Sequence, residues 1–101
     1  MVQKAKPDFE AMVAEIIADG ANELVAEYDD NEWWLSIVEG NNEFGVARYS
    51  TEQEKKLVDE GLSRLKKAKS ISVNGKLYRL AFKYKDNFGE PLWRIRVSES
   101  K

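Results

Sequence analysis

The chain contains no cysteine and no histidine. Disulfides and thiolate nucleophiles are therefore excluded, as are zinc sites built on Cys or His. The Ser-His and Cys-His dyads are excluded too, and with them the commonest general base near neutral pH. Only two prolines are present. No apolar run approaches the roughly 18 residues of a membrane span, and residues 1–7 lack the apolar stretch of a signal peptide. These absences place the expected location in the cytoplasm, with no membrane partner. The glycines that could cradle a phosphate (Gly40, Gly45, Gly89) are isolated, so no cofactor is expected.

What is present is charge, unevenly spread. Residues 1–50 hold three basic side chains against eleven acidic ones, a net of −8, whereas residues 51–101 hold thirteen against seven, a net of +6. The overall −2 conceals a dipole. Such asymmetry bears on partners and steering rather than on fold. A length of 101 residues with 43% hydrophobic content suits a single α+β domain over residues 1–101 with one core.

The apolar periodicity sets the element order. Phe9, Met12, Val13, Ile16 and Ile17 recur at helical spacing after Pro7-Asp8, which predicts a helix over about 8–19. A competing reading continues that helix through Leu24 and Tyr28, but Asp19-Gly20-Ala21-Asn22 favours a break. Alternation then predicts strands at 23–28, 33–38 and 43–49, with Leu24, Ala26, Tyr28, Trp33, Leu35, Ile37, Phe44 and Val46 on one face. Asp30-Asn31 turns the first hairpin, and Gly40-Asn41 or Asn41-Asn42 the second. Thr51 and Glu54 form a capping box for a second helix whose stripe is Leu57, Val58, Leu62, Leu65 and Ala68. Gly61 is its weak point, costing about 1 kcal/mol relative to Ala.

Asn74-Gly75 suits a type I′ turn and puts Val73 opposite Lys76 and Ile71 opposite Tyr78. The core face of this second sheet segment carries Ile71, Val73, Tyr78, Leu80, Phe82 and Tyr84. A loop with Gly89 and Pro91 leads to a last strand at about 92–98, which adds Trp93, Ile95 and Val97. The order α-β-β-β-α-β-β-β predicts a two-layer domain, a mostly antiparallel sheet with two helices packed on one face.

Three surfaces are candidates for function. Arg79, Lys83, Lys85, Arg94 and Arg96 alternate away from the core and form a basic sheet face able to hold phosphates. The aromatics of the same strands lie on the opposite phase, and a pI near 5.2 is far from a dedicated nucleic-acid module. In the acidic half, Glu23 and Glu27 face outward, and Asp29-Asp30-Asn31-Glu32 lacks the spacing of a calcium loop, so no metal is expected. Trp34 points away from Trp33 and shares its face with Val25 and Val38, an apolar group suited to an interface.

The leading expectation is a non-catalytic protein-interaction module, a small adaptor or inhibitor of the kind a phage or mobile element encodes. It would bind another protein through Trp34, Val25, Val38, Glu23 and Glu27. Nucleic-acid binding by Arg79, Lys83, Lys85, Arg94 and Arg96 is the alternative. Exposed ion pairs contribute only about 0–1 kcal/mol each, so the bipolar charge predicts a monomer or a weak, salt-sensitive homodimer.

Overall fold

In the computed structural model, which describes residues 8–99 except for the side chain of Asn87, two helices lie on one face of a six-stranded antiparallel sheet. The elements are α1 (Phe9–Ala18), β1 (Glu23–Asp29), β2 (Glu32–Glu39), β3 (Asn42–Tyr49), α2 (Glu52–Ala68), β4 (Ser70–Val73), β5 (Lys76–Asn87) and β6 (Glu90–Glu99). This is the predicted α-β-β-β-α-β-β-β order.

Local chemistry accounts for most boundaries. The Asp8 carboxylate accepts from the Ala11 N–H at 2.7 Å and caps α1. The helix ends at Ala18 with Asp19 as its C-cap, Gly20 follows with a φ of +102°, and residues 23–29 are a strand, so the longer-helix reading falls. Thr51 and Glu54 form the expected reciprocal capping box. Asp30-Asn31 and Asn74-Gly75 both take positive φ at the two central positions, as a type I′ turn requires. Gly40 alone is positive in its turn, which fits a type II′ geometry over Gly40-Asn41.

The strand order is β3-β2-β1-β6-β5-β4. Two meanders therefore lie side by side, joined through β1 and β6. The meander β1–β3 carries six carboxylates and one cation, and β4–β6 carries six cations and three carboxylates. The charge division along the chain is thus a division across the sheet.

The hairpin registers agree with the sequence reading: Tyr28 opposes Trp33, Ile37 opposes Phe44, Val73 opposes Lys76 and Ile71 opposes Tyr78. Phe9, Val13, Ile16 and Ile17 of α1 and Val58, Leu62 and Leu65 of α2 close the core over Leu24, Leu35, Tyr49, Leu80 and Ile95. Lys55 is the buried charge of the core margin. Its ammonium donates to the Asn31 carbonyl at 3.2 Å and the Asn31 side-chain oxygen at 3.3 Å, and pairs with Glu52 at 3.0 Å. Those contacts tie the start of α2 to the β1–β2 turn.

Several details of the strands depart from the sequence reading. A bulge between Leu35 and Ser36 in the β2–β3 register leaves Val46 out of the pairing, so Ala47 and Tyr49 take the inward positions after Phe44. The loop expected around Gly89 and Pro91 is instead a two-residue turn at Phe88-Gly89, with φ of 56° and 84°. Pro91 lies inside β6, beyond the last β1 partner, where one side of the strand is unpaired and a missing N–H costs little. Tyr84 is on the core phase but stands 53% exposed, on the part of β5 that β4 does not pair, with its ring against Trp93.

Candidate functional site

All ten sequence-selected side chains fall on the sheet face that carries no helix. The pairing registers arrange them in rows across the strands. One row runs from Val38 past Glu23 to Arg96; the next runs through Ser36, Val25, Arg94 and Lys83; the third runs through Arg48, Trp34, Glu27, Leu92 and Lys85. The two sets singled out separately, acidic-apolar and basic, are therefore one continuous surface.

Trp34 is 36% exposed, and the Arg48 guanidinium lies 5.4 Å from its ring centroid. Val46, pushed out by the bulge, extends this apolar edge, and Val38 is half-buried. Val25 does not belong to the exposed patch: it is only 2% exposed. It sits in one of the two middle strands, ringed on that face by Glu23, Glu27, Ser36, Trp34 and Arg94, and its short side chain lies beneath them. The apolar patch is correspondingly Trp34, Val38 and Val46 rather than Trp34, Val25 and Val38.

The two glutamates play different parts. Glu23 accepts from Arg94 at 2.6 Å and lies 3.9 Å from Arg96, so it neutralises part of the basic face. Glu27 has its pKa raised, chiefly by burial and further by the negative charges of Asp29, Glu43 and Glu90. Its carboxylate would be relieved by an incoming cation.

Arg79, Lys83 and Lys85 have no ion pair among the described residues. Lys83, Tyr84, Lys85, Leu92 and Arg94 line one shallow depression. A larger open depression of about 870 Å³ is bordered by Lys69, Arg79 and Arg96, with Glu23 as its single carboxylate and Ala81 among its small residues. In the Asp29-Asp30-Asn31-Glu32 turn, both Asn31 oxygens face the Lys55 ammonium, so the cation held there is a lysine.

Two features escaped the sequence reading. Phe88 is fully exposed at the tip of the β5–β6 turn, in a left-handed conformation that a bulky residue rarely adopts. The Asn87-Phe88-Gly89 run carried the signal, since Asn and Gly mark turns. The other is the length of β5: its 12 residues outrun the 4 of β4, and alternation alone could not say where a neighbouring strand would stop. Comparison with protein-family models, curated proteins and solved structures finds no match.

Proposed function

We propose that this protein is a non-catalytic protein-binding module, a small adaptor or inhibitor, and that the helix-free sheet face is its docking surface. The observation that supports this reading is the layout of that face. An acidic flank with the exposed Trp34 and Val46 and the half-buried Val38 runs directly into a basic flank whose Arg79, Lys83 and Lys85 have no ion pair among the described residues. Complementary charge patterns on a partner would steer encounter and fix orientation, with the tryptophan as the apolar anchor. Open depressions and the lack of His and Cys favour binding over chemistry.

The test is capture of partners from a cell lysate by the wild-type protein, by a Trp34→Ala, Val38→Ser variant, and by a Lys56→Glu control on the exposed side of α2. Loss of the same partners in the face variant alone is expected. Equal recovery by all three would remove the role of this face.

A second reading is binding of RNA or DNA. It is favoured by the depression bordered by Lys69, Arg79 and Arg96, which together could hold phosphate. Titration of a mixed-sequence oligonucleotide at rising salt separates the two. Phosphate contacts require an affinity that falls steeply with salt, and no binding at low salt eliminates this reading.

A further inference from the structure

β5 is 12 residues long, but β4 pairs only with its first part, Lys76 to Arg79. From Ala81 to Asn87 the strand has β6 on one side and, among the described residues, no strand on the other. The hydrogen-bonding direction along this edge follows from two observations. The Leu80 N–H donates to the Lys69 carbonyl at 3.0 Å, on the β4 side. The turn at Phe88-Gly89 makes Asn87 and Glu90 its closing pair, which directs Asn87 toward β6. Strand backbone groups alternate in direction, so Phe82 and Tyr84 present both N–H and C=O at the free edge.

The side chains at this edge are sorted by face. Lys83 and Lys85 project on the helix-free side with no ion pair among the described residues. Phe82 and Tyr84 project on the helix side, where they adjoin Trp93; the Tyr84 and Trp93 rings are 4.8 Å apart. Lysines commonly protect an edge against pairing with other strands of like or neutral character. They do not repel a strand that brings carboxylates.

We propose that the free edge of β5 is a strand-addition site for an extended acidic segment of a partner protein, which docks beside residues 81–86 as a seventh strand. The segment alternates acidic and apolar residues: the acidic ones lie beside Lys83 and Lys85, and the apolar ones lie over Phe82 and Tyr84. Main-chain hydrogen bonds from Phe82 and Tyr84 supply affinity, and the alternation supplies selectivity. This proposal rests on the protein-binding reading and names its partner's chemistry.

Other occupants fit less well. Two β5 edges paired with each other would set Lys83 and Lys85 of both copies close together. The opposite edge of a second copy, β3, is twisted by the bulge at Val46. Residues 1–7 of the chain carry Lys4 and Lys6 and no carboxylate, the wrong charge for this edge.

The probe is a short synthetic peptide alternating glutamate with valine, compared with the same peptide carrying lysine for glutamate, and followed by amide hydrogen exchange on the full chain. Exchange at Phe82 and Tyr84 is expected to be fast in the free protein and to slow with the acidic peptide only. Lys83→Glu, Lys85→Glu should weaken that peptide about tenfold, because two attractive charge contacts become repulsive. Tyr84→Pro removes an edge donor without touching the β6 ladder, so it should abolish binding while the far-UV spectrum is kept.

Unprotected Phe82 and Tyr84 amides at saturating acidic peptide would overturn the proposal, as would equal binding of both peptides. Protection already present in the free protein at every concentration would assign the edge to the chain's own residues 1–7. Protection that grows with protein concentration would assign it to a second copy. Either result overturns the acidic-segment proposal. Lysate capture that still depends on Trp34 after any of these failures leaves the protein-binding reading standing alone.

Discussion

A Cβ atom built on Gly61 would lie 2.9 Å from the Cβ of Phe9. The glycine that costs α2 helix propensity is what lets α1 and α2 approach. Phe9 fills the space beside it and is 1% exposed, and Arg64 pairs with Glu10 one turn further along the same contact. Gly61→Ala should therefore destabilise the fold, although alanine is the better helix former by about 1 kcal/mol. Overpacking of this kind costs about 1–3 kcal/mol, so the expected net loss is on the order of 1 kcal/mol. The denaturant midpoint measures it, and a rise in midpoint would show that the helices separate freely.

Lys55→Met is expected to lower the denaturant midpoint more than Lys56→Met. The first change strips the Asn31 oxygens and Glu52 of their shared cation, whereas Lys56 is exposed. Equal effects would mean that the link between α2 and the β1–β2 turn contributes nothing.

Tyr49 gives the fold an alkaline limit. Burial, reinforced by the negative charges of Asp8 and Glu54, pushes its phenol up to about 12 from an ordinary 10.0. A raised pKa means that the folded state holds the proton more tightly than the unfolded state. The stability from that difference is complete below pH 10 and is lost as pH rises toward 12. Alkaline unfolding of the wild type should accordingly be steeper over this window than that of Tyr49→Phe. Superimposable pH profiles would contradict the assignment.

Glu27→Gln should be neutral or stabilising at pH 7. The carboxyl is raised above its ordinary 4.5 by burial first, and then by Asp29, Glu43 and Glu90. Its ionised form is therefore the unfavourable one in the fold. The penalty is absent below the unfolded pKa, where both states are protonated, and grows as pH rises through the folded value. The melting temperature of Glu27→Gln relative to wild type should thus improve between pH 4 and pH 7. A decline over that interval would reverse the sign of the Glu27 environment.

Much of the architecture is legible in short stretches of sequence. Asp8 and the Thr51-Glu54 box start the helices, and paired left-handed residues at Asp30-Asn31 and Asn74-Gly75 turn the hairpins. Each of these signals acts over a few residues, and each hairpin register follows from its turn. The outward phase of Glu23, Glu27, Trp34, Arg79, Lys83, Lys85, Arg94 and Arg96 follows in the same way, because side chains in a strand alternate.

The sequence by itself therefore determined the element order, the turns at Asp30-Asn31 and Asn74-Gly75, and the sheet face that most strand side chains take. Only the tertiary structure decided what those side chains meet. The β1–β6 pairing carries no local signal, since its partners are about 70 residues apart; it joins the acidic and basic meanders, couples Glu23 to Arg94 and sinks Val25 beneath its neighbours. Strand ends behave likewise. That β4 begins only at Ser70, opposite Arg79, and so leaves Phe82 and Tyr84 with no neighbouring strand on that side among the described residues, depends on where the chain leaves α2. Periodicity encodes the face a residue takes, because that is set by its own backbone. Burial and free edges are set by neighbours that are distant in the chain.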